Sequence, residues 1–597
     1  MVDSNSAHLA LLREELARRG LDGFVVPRAD EHQGEHVPFS AERLAWVTGF
    51  TGSAGTAVIL AARAALFVDG RYTLQGATET MGTGIEIVHV TERQFDDWLA
   101  EALSEDMRLG YDPRLHTGEG RKRLEKVCKR ATAHLVPTDG NPADAVWQNR
   151  PAPPLALVVA HTNEFTGRSS EDKRKTIGLT LAKEKCDAAV ITLPDSLAWL
   201  LNLRGGDVPH TPLPLSFAIL SRDGTVALFI DRRKLSPGLD RHLGKDVTIQ
   251  APDGLGPTLR ALGEAGKTVR ADPATASAWV LDELAEGGAI VVEGTDPCLR
   301  PKAIKNETEL SGTRAAHRRD GVAVTRFLYW LDREAASGAL TEIAAADHLE
   351  ALRREGKHFR DLSFPTVSGA GANGAIVHYR VTPESNRRLE SGSLYLVDSG
   401  AQYLDGTTDI TRTVAIGSPS EEMRDRFTRV LKGHIALATA RFPVGTRGSQ
   451  LDTLARLALW KVGLDYDHGT GHGVGSYLSV HEGPQRISKR GGDAALEPNM
   501  IVSNEPGYYK AEGYGIRIEN LVAVKTLGKP EGGERELLGF KTLTRAPIDR
   551  TLIDTTLLDD SEVAWLDAYH AEVRKTLTPL LDAKTAAWLT AATAPLR

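Results

Sequence analysis

The sequence predicts an α/β fold class: two copies of one smaller α/β domain, then a larger domain that carries the chemistry. Three observations predict it. The first half of the chain repeats one order of helix, strand, Ala-Trp and strand. The second half repeats a pair of acid-bearing hairpins. A chain of 597 residues also exceeds the roughly 250 at which one hydrophobic core stops growing.

In the first copy, Leu9 to Arg19 is apolar at helical spacing and Asp22 to Val26 reads as a buried strand; Ala45-Trp46 and a second strand, Ala65 to Asp69, follow. The second copy runs Ile177 to Lys185, Asp187 to Ile191, Ala198-Trp199 and Ala227 to Asp231. Three pairs of landmarks lie 165, 153 and 162 residues apart, as expected of one domain repeated with loops of different length. Pro151 to Pro154 forms a stiff linker, and a second boundary falls near Pro301, before a long helical stretch from Glu307 to Glu334. The expected domains are 1–150, 151–302 and 303–597, the last ending in a helical extension.

Composition excludes several classes. With 41% hydrophobic and 25% charged residues, the chain is globular rather than disordered or fibrous. Its 72 Lys and Arg against 79 Asp and Glu leave a net charge of −7, the wrong sign for a nucleic-acid binder. The basic run from Arg121 to Arg130 reads as the solvated face of a helix. Three cysteines, Cys128, Cys186 and Cys298, form neither a Cys-x-x-Cys motif nor a disulfide framework, so a cytoplasmic setting is expected. With charged Arg13, Glu14 and Glu15 directly after Leu9, Leu11 and Leu12, no signal peptide is expected, and no apolar run is long enough for a membrane span.

The hairpins locate the chemistry. Leu389-Glu390 precedes Asp398 as Leu496-Glu497 precedes Glu505, eight residues separating the acids in each case. Each apolar strand runs into its acid, turns, and returns on a strand with another acid: Asp409, eleven residues after Asp398, and Glu519, fourteen after Glu505. Carboxylates in strand-like surroundings are costly to bury unpaired, and the duplication places four of them near a pseudo-two-fold axis. His468, His472 and His481 crowd into fourteen residues, where an average of 18 in 597 would place fewer than one. Gly469, Gly471, Gly473 and Gly475 among them suggest backbone bent tightly around something small. His378, in an apparent strand from Ala375 to Tyr379, is a fourth candidate.

Four carboxylates and one imidazole make a hard, oxygen-rich donor set. A structural zinc site wants Cys and His, and EF-hand spacing is absent. The set suits a pair of Mn²⁺, Co²⁺, Fe²⁺ or Zn²⁺ ions, which can activate a water and polarise a carbonyl. Gly369 to Gly374 matches the dinucleotide fingerprint literally, but it precedes an apparent strand rather than opening a helix. No Gly-x-Ser-x-Gly nucleophile motif stands in a plausible context.

At VDSGAQYLDGTTDITRT, HGTGHGVGSYLSVHEGP, NEPGYY and GIRIEN the sequence resembles the pita-bread metallopeptidases, specifically the long, three-domain aminopeptidase P (Xaa-Pro aminopeptidase) family. GFTGSAGTAVI, FVDGRYTLQ, RPKAIKNETEL, FKTLTRAPID and AWLDAYH extend the resemblance over nearly the whole chain, and no ligand position is replaced. It implies two creatinase-like domains before a pita-bread α+β catalytic domain. It also implies two divalent ions, usually Mn²⁺ with Zn²⁺ or Co²⁺ as alternatives, held by Asp398, Asp409, His472, Glu505 and Glu519. A hydroxide bridging the ions would attack the bond before proline, with His378, His481 and Glu505 catalytic. Arg71, His378, His468 and His481 correspond to substrate-side positions, and Tyr509 and Arg517 to residues that orient the ligands. The implied partners are short peptides with proline second, acted on by a homodimer. A related prolidase shares the metal set but not the length, and a catalytically inactive interaction or chaperone module on this scaffold would have lost ligands.

Overall fold

A computed structural model describes residues 2–489, 492 and 494–596. The chain divides into two compact units, one of residues 1–162 and 168–299, the other of residues 163–167 and 300–597.

The N-terminal unit holds the predicted repeat. Its first six-stranded sheet comprises Gly23–Pro27, Thr56–Leu60, Ala64–Val68, Glu86–His89, Arg108–Tyr111 and His134–Pro137. The second comprises Ala188–Ile191, Phe217–Ser221, Val226–Phe229, Val247–Gln250, Thr268–Ala271 and Ile290–Glu293. Counted along the chain within each sheet, both have the strand order 4-3-2-1-5-6. In both, strands 1, 2 and 3 pair antiparallel and the outer strands add in parallel. The two sheets are joined through equivalent loops, Asp112–Thr117 and Asp272–Ser277. Gly118 N–H bonds Ala276 O and Ala278 N–H bonds His116 O, while Thr117 bridges Ser277 antiparallel. Residues 116 and 276, and 118 and 278, are each 160 apart, so the contact has a local two-fold symmetry that follows from the duplication itself. The basic run lies on the helix Gly118–Arg130, which buries Leu124, Val127 and Cys128. Its outer face is paired rather than merely solvated: Lys122 meets Glu293, Arg123 meets Asp96 and Arg130 meets Asp97.

The C-terminal unit contains the long helix Glu307–Glu334, started by a capping box of Asn306 and Glu309. Its sheets carry the duplicated hairpins in nested form. Ser393–Ser399 pairs antiparallel with Ile410–Ile416 around a small inner hairpin, Ala401–Tyr403 with Gly406–Thr407. Ile501–Asn504 pairs with Asn520–Gly528 around Gly507–Lys510 with Tyr514–Arg517. Between them in sequence, the helices Glu421–Ala438 and Asp452–Trp460 pack closely; a Cβ on Gly433 would lie 2.0 Å from Ala455 O. A 3₁₀ turn, Gly448–Gln450, precedes the second helix.

Two local expectations change. Ala375 to Tyr379 is not a strand: the strand Val367–Ala370 leads into a 3₁₀ turn, Gly371–Ala375, and a bend carrying His378. Gly371 takes φ +54° in this turn, and a Cβ on Gly515 would lie 1.7 Å from Gly374 O, so Gly515 lets its hairpin pack directly against the turn. The glycines around His472, by contrast, do not bend the chain through positive φ. They let strands touch: a Cβ on Gly471 would meet Ser503 O at 2.1 Å, and one on Gly473 would meet Glu482 O at 2.3 Å.

Candidate metal centre

The acids sit at strand ends. Asp398 is the penultimate residue of its strand, Asp409 directly precedes Ile410–Ile416, Glu505 directly follows Ile501–Asn504, and Glu519 directly precedes Asn520–Gly528. His472 occupies the centre of the short strand Gly471–Gly473, hydrogen-bonded through its N–H to Ser503 Oγ.

These five residues come together. Asp398, Asp409 and Glu519 offer oxygens within 4.8 Å of one another, as do the ligand atoms of His472, Glu505 and Glu519. Glu519 belongs to both groups, so two three-donor positions share one carboxylate. A third group, Asp409, His472 and His481, brings His481 to the edge of the cluster, its ring edge-on to His472 at 4.3 Å.

Hydrogen bonding fixes the orientation of each donor. The His472 Nδ1–H lies 2.9 Å from Gly473 O, which leaves Nε2 facing Asp409 Oδ2 at 3.5 Å and Glu505 Oε1 at 3.4 Å. Ser503 donates to Glu505 Oε1 at 2.9 Å and Thr411 to Glu519 Oε2 at 2.7 Å. Arg517 donates to Asp398 Oδ2 and to the Tyr509 hydroxyl, both at 2.6 Å, and Tyr509 contacts His468 Nε2 at 2.8 Å. The other His468 ring nitrogen lies 2.8 Å from Gly469 O. His468 therefore stands behind Tyr509, with both nitrogens engaged, rather than among the acids. His378 follows Val377, whose carbonyl lies 3.5 Å from Arg517. Arg71 belongs to the N-terminal unit, where Asp69 holds its guanidinium through two bonds of 2.9 and 2.7 Å.

The electrostatics demand cations. Burial, with Asp409 and Glu505 adding repulsion against the pull of Arg517, raises Asp398 to about 6. Burial and the charges of Asp409, Glu505 and Asp398 push Glu519 well above the usual carboxylate range. Burial would depress His472, but its bond to Asp409 and the charges of Glu505 and Asp409 overcome that and raise it to about 9. Asp398 Oδ1 and Glu519 Oε1 are buried without a hydrogen-bond partner, costly for carboxylates and resolved by coordination. The donor set thus fits a pair of oxygen-seeking divalent ions.

Sequence reasoning passed over Thr411 and Ser503. Both lie two residues from an acid on the same strand face, the one signal that would have found them.

Comparison with known proteins agrees in extent. Residues 311–526 match metallopeptidase family M24, residues 8–145 and 149–309 each match the creatinase/prolidase N-terminal domain, and residues 536–596 match the C-terminal region of peptidase M24. A protein named probable Xaa-Pro aminopeptidase P from Paracoccidioides brasiliensis is 41% identical over 99% of both chains. One of the same name from Aspergillus fumigatus is 40% identical, covering 99% of this chain and 93% of its own. The crystal structure of X-prolyl aminopeptidase from Caenorhabditis elegans, described as a cytosolic enzyme with a di-nuclear active site, superposes with a TM-score of 0.95 at 35% identity, over 99% of this chain and all of that one.

Proposed function

This chain belongs to metallopeptidase family M24, in its Xaa-Pro aminopeptidase P group, and from that premise we propose that it releases the first residue of peptides whose second residue is proline. The observation that carries the site reading is the pair of overlapping three-donor groups joined at Glu519, with two buried carboxylate oxygens lacking any other partner. Asp398, Asp409, His472, Glu505 and Glu519 would hold two divalent ions, Mn²⁺ best matching a set of four carboxylates and one imidazole. Such ions lower the pKa of a water and polarise the scissile carbonyl.

The chain's own residues do the rest. Glu505, kept in place by Ser503, takes a proton from the attacking water and delivers it to the departing proline nitrogen, which has no N–H of its own before the bond breaks. His481, beside His472, and His378, beside Arg517, donate to the carbonyl oxygen as its charge grows. The chain from His468 through Tyr509 and Arg517 keeps Asp398 aimed and ionised. On the resemblance, Arg71 is a further substrate-side residue. The same resemblance, with a relative described as cytosolic, supports a cytoplasmic homodimer. The test is a pair of tripeptides differing only at position two: release from the Xaa-Pro peptide, with the Xaa-Ala peptide cut at least about tenfold more slowly. Equal rates on both contradict proline specificity.

A further inference from the structure

Behind the acids, on the side of the helix Glu421–Ala438, lies a fully buried imidazole that none of the roles above uses. His434 is 0% exposed. It sits next to Gly433, whose missing Cβ seats this helix against its neighbour. Nδ1 lies 3.1 Å from Asn504 O and Nε2 lies 3.1 Å from Asn520 Nδ2. Amide nitrogen can only donate, so Nε2 accepts and Nδ1 carries the hydrogen. Asn504 answers by donating its own amide to His434 O at 2.9 Å. Burial beside Arg412 lowers the His434 pKa to about 3, so the ring keeps this one-donor, one-acceptor form.

Asn504 and Asn520 are opposite one another in the antiparallel pair, and they are the last ladder partners before Glu505 and Glu519. The peptide between Asn504 and Glu505 is therefore held at both ends, its carbonyl by His434 and its N–H by Thr470 O at 2.9 Å. Glu519 is held likewise, its N–H by Thr411 O at 3.1 Å and its carbonyl by Arg412 at 2.6 Å; Arg412 also grips Asn520 Oδ1 at 2.9 Å. His434 bonds the flanking residues of both acids at once. We propose that His434 is a positioning residue for the metal centre, fixing the separation of Glu505 and Glu519 by bridging Asn504 and Asn520. Two carboxylates serving ions about 3.5–4 Å apart tolerate little error in that separation.

This inference rests on the two-ion reading. Its test is Mn²⁺ binding to EDTA-stripped full-length protein, followed by calorimetry and elemental analysis. His434→Phe fills the space but removes both polar ends, whereas His434→Gln keeps a donor and an acceptor. The expectation is that His434→Phe weakens binding of one of the two ions by about 10–100-fold and leaves KM for an Xaa-Pro peptide at saturating Mn²⁺ within about twofold; His434→Gln recovers most of the affinity. Asn520→Ala, which cuts the bridge without a substitution in the helix, should weaken the same ion even if His434→Phe does not fold. A His434→Phe protein with a lower melting temperature but both ions bound as in wild type would overturn the proposal, as would full affinity in Asn520→Ala. Wild-type protein that binds fewer than two ions would overturn the two-ion reading itself.

Discussion

The roles proposed for Glu505 and His481 each rest on single atoms. Glu505→Gln is isosteric and leaves the Ser503 hydroxyl a partner, so the fold and melting temperature should hold while proton transfer fails. Turnover above about a tenth of wild type, a loss under roughly 1.4 kcal/mol in barrier, would contradict its role as base. The two histidines separate in another way. His472 Nε2 points at Asp409 and Glu505, so His472→Ala should arrive depleted in metal and inactive together. His481 touches the same cluster from its edge, and His481→Ala should keep its metal and lose turnover by about 10²–10³-fold. Elemental analysis of the two variants side by side decides the assignment, and a metal-depleted His481→Ala reverses it.

At the scale of the element, what was legible in the sequence was charge in the wrong place. Asp398, Asp409, Glu505 and Glu519 stood out because carboxylates inside apolar strands need a reason, and the duplicated spacing supplied one. Their uncharged neighbours gave no such signal. Thr411, Ser503, Asn504 and Asn520 are ordinary residues until a strand face or a register gives them a partner, and His434 on a helix resembles any other helical histidine until Asn504 and Asn520 are seen against it. Ala375 to Tyr379 misled because Ile376 and Val377 have the side chains of a strand, while Gly371, at positive φ, starts a turn. His468, His472 and His481 could not be told apart because all three share one glycine-rich context. Another buried histidine makes an element-scale prediction. His570, on the helix Asp560–Leu577, accepts the Ile548 N–H at Nε2 at 3.1 Å. Burial and nearby Arg412, Arg550 and Arg574 lower its pKa to about 3. The unfolded chain binds that proton near pH 6.5, so the stabilisation is complete above this pH and drains away as pH falls towards 3, by about 1.4 kcal/mol per pH unit. His570→Gln, which still offers an acceptor but does not titrate, should show a flatter melting temperature between pH 6.5 and 4.5 than wild type; parallel curves would contradict the assignment.

At the scale of the whole chain, duplication built both units, with different results. In the N-terminal unit it produced two sheets of identical strand order, joined through equivalent loops 160 residues apart. In the C-terminal unit it produced nested hairpins whose strand ends bring four carboxylates to one place, with His472 supplied from a neighbouring strand. Four acids so placed repel one another, and Arg517 and His472 do not offset them: Asp398 and Glu519 are still pushed up. The central claim is therefore that two divalent ions complete this site and that hydrolysis before proline depends on them. The direct measurement strips the purified protein with EDTA and adds Mn²⁺ back in counted equivalents, following release of the first residue from an Xaa-Pro peptide alongside metal content. The account predicts no turnover in the stripped protein and full recovery as bound Mn²⁺ reaches about two per chain; full turnover by metal-free protein would contradict it.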